Sequence, residues 1–292
     1  MTTKAISMKS VTKKYGKNSA IDNVDLELDK GTIFGLIGRN GAGKTTLIKC
    51  LLGVTKPDEG EITIFGDPAW DLSVATKHRI GYVPQNIVGF SWMKVIDLME
   101  YTGAFYDNWD GKIIDGMIDE WGLDPYAKIG TLSTGERQKV AIIQAMGHDP
   151  DLYVLDEPVA SLDPSARRAF IKKIIELNAD QQKTVLFSTH ITSDMERMAA
   201  EICFIKNGII QFRRELGELK ESIVKLNIHS PIPLPEDLPI KNIISIERNS
   251  KDAIVTIDNY DEGIKSKIER ALNATVFVEN MNLEDIFMEV IK

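Results

Sequence analysis

Cysteine is scarce in this chain of 292 residues, which contains only two. Cys50 and Cys203 are far apart in the sequence, and each lies within an apolar stretch. This arrangement favours reduced thiols buried in the core of a cytosolic protein over a disulfide framework. We therefore expect neither cysteine to carry chemistry.

Positive charge in excess is also absent, because the formal net charge is -8 at pH 7. Such a chain does not offer the broad positive surface that attracts phosphate backbones or anionic lipid. We therefore expect no nucleic acid among its partners.

Long apolar runs are missing as well. No uninterrupted run approaches the roughly 20 residues that a bilayer-spanning helix needs. The first 20 residues lack the continuous apolar centre and the small-residue cleavage site of a secretory signal. We expect that this protein is not itself secreted and does not insert directly into a bilayer. A transport function would therefore require a separate chain to supply the membrane path.

The composition is that of an ordinary globular protein, with 43% hydrophobic and 27% charged residues. Residues 32–37 form a short apolar run typical of a buried strand, and residues 44–52 have helical character after a glycine-rich turn. Strand-like runs return at residues 152–155, 184–188 and 202–205, with a helix predicted over 165–177. This alternation predicts an α/β fold with a parallel sheet, in which a ligand binds at the carboxyl ends of the strands.

Two changes of pattern indicate further parts. Residues 76–121 carry apolar side chains at helical spacing, which predicts a helical insertion. After about residue 216 the composition shifts, and residues 230–239 contain four prolines, which favour extended backbone. We therefore predict a first domain over 1–216, with a helical subdomain at about 86–150, and a small α+β domain over 217–292. Its predicted elements are two strands within 243–257, a helix over 262–272, a strand over 275–278 and a final helix over 283–291.

The strongest motif matches the pattern G-x-x-x-x-G-K-[ST] and begins at Gly38. Its glycines allow positive φ angles, so that successive backbone N–H groups and the following helix N-terminus can surround a di- or triphosphate. Lys44 is placed to reach the β and γ phosphates, and the Thr45 hydroxyl to ligate Mg²⁺. The predicted nucleotide-binding residues are Gly38, Arg39, Asn40, Gly41, Ala42, Gly43, Lys44, Thr45 and Thr46.

A second motif is the apolar strand of residues 152–155, which ends in Asp156 and Glu157. A buried strand brings these acids to the sheet edge where the phosphate loop lies. Alone, two acids at a strand end are more typical of an exposed turn. Beside Lys44, they predict that Asp156 holds Mg²⁺ through a water and that Glu157 is the general base for the attacking water.

Residues 132–138, LSTGERQ, are similar to the LSGGQ sequence that defines the ABC ATPase family. With the two motifs above in the same order, the chain resembles this family over roughly residues 4–216. The resemblance implies a P-loop NTPase cassette with a mixed, partly parallel core sheet, and it implies that Ser133, Gly135 and Glu136 contact the γ-phosphate held by the opposite subunit. Glu136 stands where glutamine is usual and Thr134 where glycine is usual, and by itself the segment also fits a serine-capped helix start.

The resemblance assigns roles to further positions. Gln85 is implied to approach Mg²⁺ and the attacking water and to sense the membrane partner, His190 to hydrogen-bond the γ-phosphate, and Tyr15 to stack on adenine. Residues 161–163 match the loop that crosses the dimer interface. Each of these residues alone is more typical of a structural or solvated position, and only their joint order favours the functional interpretation.

The function implied is that of an ATP-hydrolysing subunit of an ABC transporter. It binds ATP and Mg²⁺, forms a homodimer or a heterodimer with another ABC ATPase subunit, and drives an integral membrane permease from the cytoplasmic, inner face of the membrane. The expected permease contact is the groove near Gln85 and residues 87–106.

Three alternatives bear on this interpretation. Residues 282–287 resemble the closing L-E-D-x-F segment of bacterial exporters of drugs, antibiotics and polysaccharides, although an amphipathic terminal helix explains the same residues. An uptake system has the same catalytic core. A soluble ABC ATPase acting in DNA repair, chromosome organisation or translation is less favoured, because the chain has neither long heptads nor a second phosphate loop.

We expect the C-terminal domain to stabilise the dimer.

Overall fold

The computed structural model describes residues 4–86 and 89–291. The chain divides into two compact units, Met1–Arg213 and Arg214–Lys292. The boundary therefore lies three residues before the last residue of the first domain predicted from the sequence, which ended at residue 216. Within the described ranges, no helix is both long and apolar enough to cross a bilayer.

The first unit contains both strands and helices. In chain order its elements are β1 (Lys4–Tyr15), β2 (Asn18–Asp29), β3 (Ile33–Ile37), α1 (Lys44–Leu51), β4 (Glu59–Ile64), β5 (Asp67–Pro68), α2 (Val74–Lys77), β6 (Ile80–Val83), α3 (Val95–Gly103), α4 (Gly111–Glu120), α5 (Thr134–Met146), β7 (Leu152–Asp156), α6 (Pro164–Gln181), β8 (Thr184–Thr189), α7 (Thr192–Met198), β9 (Glu201–Lys206) and β10 (Ile209–Glu215).

Two sheets form the framework of this unit. One has the strand order β10-β9-β3-β8-β7-β6, and the strands from β9 to β6 pair in parallel. The other has the order β2-β1-β4-β5 and is antiparallel. The central strands β3, β7 and β8 are buried along their whole length, which explains why their sequences are apolar runs rather than alternating ones. The predicted α/β fold with a mixed, partly parallel core sheet is confirmed.

Helix α1 joins the two sheets through the hydrophobic core. Its residues Leu47, Ile48 and Leu51 are fully buried in one cluster with apolar side chains of both sheets. Because this helix follows directly from the glycine-rich loop after β3, the packing of α1 fixes the position of the loop.

One predicted element differs from the structure. The sequence predicts a helical insertion over residues 76–121, but β6 within that range is a strand of the six-stranded sheet. Its short apolar run Ile80–Val83 pairs with β7, and a run of four residues is too short for helical periodicity to show. Helices α3, α4 and α5 follow β6.

The second unit is a small α+β fold, as predicted. Its elements are α8 (Leu216–Ser222), β11 (Val224–His229), β12 (Ile243–Arg248), β13 (Asp252–Ile257), α9 (Glu262–Leu272), β14 (Thr275–Asn280) and α10 (Leu283–Ile291). The sheet has the antiparallel order β12-β13-β11-β14, and Ile268 and Leu272 of α9 share its core. The proline-rich residues 230–239 connect β11 to β12, so they lie inside this unit and not between the two units.

Candidate active site

The glycine-rich loop leaves the carboxyl end of β3 and leads into α1. Gly41 and Gly43 adopt left-handed φ angles of 81° and 111°. A Cβ atom at Gly43 would lie 2.5 Å from the carbonyl oxygen of Ala20, so only glycine fits there. Gly43 is also the N-cap of α1 and has no side chain to cap the first turn. The first N–H groups of the helix are therefore available to an anion.

A cavity of about 420 Å³ opens over this loop. It brings together the loop and residues that lie far from it in sequence. Its lining consists of Ala20, Arg39, Asn40, Gly41, Ala42, Gly43, Lys44, Thr45, Thr46, Gln85 and Glu157. The cavity therefore combines backbone donors and an ammonium group with a carboxylate and a carboxamide, and its size suits a small-molecule ligand.

Lys44 and Glu157 form a buried pair, and His190 contacts this pair from the surface. The Lys44 Nζ atom lies 3.1 Å from Glu157 Oε1 and donates to the carbonyl oxygen of Gly38 at 2.7 Å. The other carboxylate oxygen, Oε2, lies 2.9 Å from Nδ1 of His190. Lys44 and Glu157 are only 6% and 4% exposed, whereas His190 reaches the surface. One carboxylate thus links the phosphate loop to the residue after β8.

Asp156 lies at the end of β7 and is fully buried. Its Oδ1 atom accepts a hydrogen bond of 2.7 Å from the Ser188 hydroxyl. Its Oδ2 atom has no hydrogen-bond partner among the residues that the structure describes. Burial raises the pKa of this carboxyl group, and the neighbouring Ser188 and Thr45 hydroxyls oppose that shift. A buried carboxylate with one unpaired oxygen beside Thr45 is a suitable ligand for a cation.

The LSTGE segment, residues 132–136, forms the start of α5 and does not line this cavity. Ser133 is the N-cap, and its hydroxyl accepts from the Glu136 N–H at 3.2 Å, while Glu136 Oε2 accepts from the Ser133 N–H at 2.8 Å. These hydrogen bonds lower the pKa of the Glu136 carboxyl group. The Glu136 side chain is therefore occupied in a capping box, and Ser133, Gly135 and Glu136 do not line the cavity.

The segment at α5 contacts the loop of residues 161–163 within the same chain. A Cβ atom at Gly135 would lie 2.7 Å from the carbonyl oxygen of Ser161. On the next turn, Lys139 Nζ lies 3.6 Å from Asp163 Oδ2. These two predicted interface segments are thus held together.

Tyr15 lies at the end of β1 and is 52% exposed. The Lys13 ammonium is 5.6 Å from the centre of its ring. Tyr15 does not line the cavity over the glycine-rich loop. Its ring is available to a planar ligand from solvent.

Sequence reasoning missed Ala20 and Ser188. Ala20 lines the cavity from β2, and an alanine gives no sequence signal of its own. Ser188 is a polar residue in the fully buried strand β8, and a buried hydroxyl needs a hydrogen-bond partner. That requirement could have directed attention to it.

Comparisons with known sequences identify related proteins. A family model described as ABC transporter matches residues 21–160. The uncharacterized ABC transporter ATP-binding protein YxlF of Bacillus subtilis is 30% identical over 300 aligned positions, which cover 98% of this chain and 99% of that protein. The Nod factor export ATP-binding protein I of Cupriavidus metallidurans is 33% identical over 211 positions, covering 70% of this chain and 69% of that protein.

Solved structures are similar to the larger part of the chain. An ATP-binding subunit of an ABC transporter has a TM-score of 0.68 and 26% identity, covering 74% of this chain and 92% of that one. A dimeric ATP-binding cassette in a post-hydrolysis state, bound to ADP and Pi, has a TM-score of 0.65 and 26% identity, covering 72% of this chain and 98% of that one.

Proposed function

Because this chain belongs to the ABC transporter family of ATP-binding proteins, we propose that it powers an export system, acting as a dimer on a separate membrane permease. The chain is an ATPase and the ATP-binding subunit of a transporter. The proposed catalytic role rests on one observation above all, which is that Glu157 lines the cavity over the phosphate loop and lies between Lys44 and His190.

The phosphate loop binds the nucleotide through charge. The N–H groups of residues 41–46 and the N-terminus of α1 surround the β and γ phosphates, and Lys44 neutralises them. The phosphate takes the place of the Glu157 carboxylate at Lys44, because both are anions that contact the same ammonium group. Tyr15 then stacks on the adenine ring from the end of β1.

Thr45 and Asp156 fit a magnesium ion. Asp156 offers a buried oxygen without a hydrogen-bond partner in the described part of the chain, and the neighbouring Thr45 hydroxyl is a hard oxygen ligand of the type Mg²⁺ prefers. Gln85 lines the same cavity and completes the proposed set. When bound, Mg²⁺ neutralises charge on the phosphate oxygens.

Glu157 is the proposed general base. Once the Lys44 ammonium group contacts phosphate in place of Glu157, the Glu157 carboxylate can accept a proton from a water molecule positioned against the γ-phosphate. His190, which contacts Glu157 at 2.9 Å, is proposed to hydrogen-bond the γ-phosphate. These residues position and stabilise charge, which is the larger part of phosphoryl-transfer catalysis.

A second ATPase chain completes the site in this proposal. Ser133, Gly135 and Glu136 lie at a helix start outside the cavity of their own chain, so we assign the contacts of Ser133 and Gly135 to nucleotide bound by the opposite subunit. The Ser133 hydroxyl and the N-terminus of α5 supply donors there. The Glu136 carboxylate already serves the capping box, so its contribution is to fix the helix start.

An exposed aromatic patch is the proposed permease surface. We define it as Phe90, Trp92, Tyr101 and Phe105, which are 37%, 71%, 49% and 60% exposed. Neighbouring rings in the patch have centroid distances of 5.3 to 6.1 Å. The patch follows Gln85 closely in sequence, and contiguous exposed apolar surface of this kind marks an interaction site. Residues 87 and 88 of the predicted contact segment lie outside the described residues.

The export direction is supported by sequence similarity. The relative from Cupriavidus metallidurans is named a Nod factor export ATP-binding protein. In addition, residues 282–287 resemble the closing segment of bacterial exporters. We therefore propose that the permease moves its substrate out of the cell.

The experiment that tests this function is co-purification of the chain with membrane proteins in detergent. We expect an integral membrane protein to be retained, and we expect a Trp92→Ala/Phe105→Ala variant to lose it while the isolated chain hydrolyses ATP normally. Ile113→Ala, at an exposed site on α4, is the matched control. Retention on DNA or ribosomes at about 0.15 M salt, without a membrane partner, would contradict the proposal.

A further inference from the structure

One buried hydroxyl lies between the two acidic residues of the site. Ser188 is fully buried in β8 and stands opposite Asp156 of β7 in the parallel register. Its Oγ atom donates to Asp156 Oδ1 at 2.7 Å and accepts from the Glu157 N–H at 3.1 Å. A single side chain thus contacts both residues on which metal binding and proton transfer depend.

The direction of these two hydrogen bonds is fixed by chemistry. A serine hydroxyl has one hydrogen to donate, and an ionised carboxylate can only accept. The Ser188 hydrogen therefore goes to Asp156, and the lone pairs of the same oxygen face the Glu157 N–H. The result is a continuous chain from the Glu157 amide through Ser188 to the Asp156 carboxylate, in which each bond strengthens the next.

This series of hydrogen bonds determines which oxygen of Asp156 remains without a partner. Oδ1 is satisfied by Ser188, while Oδ2 is buried and has no hydrogen-bond partner among residues 4–86 and 89–291. Without the Ser188 bond the carboxylate could rotate about its last torsion, which has a broad energy profile. The bond therefore holds Oδ2 in one orientation.

The same hydroxyl supports an unusual backbone at Glu157. This residue has a φ of 50°, in the left-handed region that non-glycine residues rarely adopt. Its N–H is held by both the hydroxyl and the carbonyl oxygen of Ser188, each at 3.1 Å. Strained backbone of this kind persists only where its surroundings fix it.

We propose that Ser188 is a positioning residue, which orients Asp156 for the magnesium ion and fixes the backbone from which Glu157 reaches Lys44 and His190. The inference rests on the proposed role of Asp156 as a magnesium ligand. Groups that hydrogen-bond to a metal ligand typically change metal affinity or activity by 10- to 100-fold when removed. Ser188 is such a group.

The test is the magnesium dependence of ADP binding, measured by calorimetry. We expect Ser188→Ala to raise the Mg²⁺ concentration needed for half-maximal tightening by about tenfold or more. ADP binding without Mg²⁺ stays unchanged, and Ser188→Thr, which keeps the hydroxyl, restores the Mg²⁺ dependence. Ser188→Cys keeps the volume but supplies only a weak donor, so it gives the same direction of change if the alanine variant does not fold.

Thr184→Ala is the matched control. Thr184 is a buried hydroxyl residue on the same strand, and its oxygen accepts from the Gly31 N–H far from the acids. We expect its Mg²⁺ dependence to match that of the parent protein. A shift as large as that of Ser188→Ala would show a general effect of losing a buried hydroxyl and would overturn the inference.

Combination with Asp156→Asn separates this inference from the proposed function. If Ser188 acts through Asp156, Ser188→Ala causes no further change in Mg²⁺ dependence once Asp156 is asparagine. Additive changes, or a parent-like Ser188→Ala beside a defective Asp156→Asn, would overturn the role of Ser188 alone. An unchanged Mg²⁺ dependence in Asp156→Asn would instead refute Asp156 as the magnesium ligand.

Discussion

Replacing Glu157 by glutamine will produce a protein that hydrolyses ATP very slowly and is stabilised more strongly by nucleotide than the parent. The Glu157 carboxylate contacts Lys44 Nζ at 3.1 Å and His190 Nδ1 at 2.9 Å. Glutamine has a similar shape and keeps one acceptor oxygen, but it has no charge and is not a base. The substitution therefore separates the chemical role of the carboxylate from its role in the buried cluster.

The magnitudes follow from these contacts. Loss of a general base lowers the hydrolysis rate by on the order of 10² to 10⁴. Removing one partner of a buried ion pair costs about 3–5 kcal/mol when the remaining charge is isolated. Lys44 keeps the Gly38 carbonyl at 2.7 Å and borders an open cavity, so we expect a smaller loss of about 1–3 kcal/mol. For a unit of this size, that lowers the unfolding temperature by roughly 2–12 °C.

Bound nucleotide reverses most of this loss. Phosphate oxygens replace the carboxylate at Lys44, so the ammonium group is paired again whether residue 157 is Glu or Gln. The rise in unfolding temperature on adding Mg²⁺ and ADP is therefore larger in the variant than in the parent. Thermal unfolding with and without nucleotide measures this difference, and phosphate release measures hydrolysis.

Glu201→Gln is the control for this prediction. Glu201 pairs with Arg213 at 2.6 Å in the same unit, away from the cavity. Its loss changes stability by about 1 kcal/mol or less and leaves both hydrolysis and the response to nucleotide intact. A Glu157→Gln variant with parent-like hydrolysis would refute the general base, and an equal response to nucleotide would refute the exchange of carboxylate for phosphate.

Three further changes have defined outcomes. Burial raises the pKa of Asp156 above its ordinary 3.8, so ionisation of this carboxyl group opposes folding as pH rises through the folded pKa. Without metal or nucleotide, the Asp156→Asn variant will therefore be at least as stable as the parent at about pH 7. A lower unfolding temperature in the variant contradicts this. Arg214 donates two hydrogen bonds of 2.6 Å to Asp258 and lowers the pKa of that carboxyl from 3.8. This contribution is present above the ordinary pKa and disappears as pH falls through the folded one, so Asp258→Asn will cost about 1–3 kcal/mol near neutral pH and little in acid, as chemical denaturation at several pH values will show. Truncation after Gly217 will weaken self-association in sedimentation experiments if the C-terminal unit stabilises the dimer, and unchanged association contradicts that role.

Local patterns allowed much of the fold to be predicted. The buried run before Gly38, the glycine-rich turn and the helix after it each carry their own signal, and together they define one strand–loop–helix unit. Helix α9 (Glu262–Leu272) has the bounds predicted from the sequence. By contrast, β11 (Val224–His229) was not predicted, although its alternation of apolar and polar residues follows the two-residue period of a strand with one covered face.

The site could be predicted only in part, because sequence order and spatial contact differ. The parallel sheet rule places the ends of β3, β7 and β8 at one edge, so a meeting of Lys44, Glu157 and His190 was foreseeable. The bond between Ser188 and Asp156 depends on the register of β8 against β7, which no local pattern encodes. The capping of α5 by Ser133 and Glu136 is local and could have been predicted from the sequence in full. The resemblance to LSGGQ instead implies nucleotide contacts for the same two residues.

We propose that residues 38–45 bind the phosphates of ATP, and calorimetric titration of ATP with Mg²⁺ is the direct test. The Glu157→Gln variant is the appropriate background, because hydrolysis there is too slow to disturb the measurement. We predict saturable binding in that variant and binding weakened by roughly 10- to 150-fold or more when Lys44→Ala is added, which corresponds to one lost charge-assisted contact of about 1.5–3 kcal/mol. Folded protein that releases no heat with ATP, or equal affinity with and without Lys44, would contradict the account.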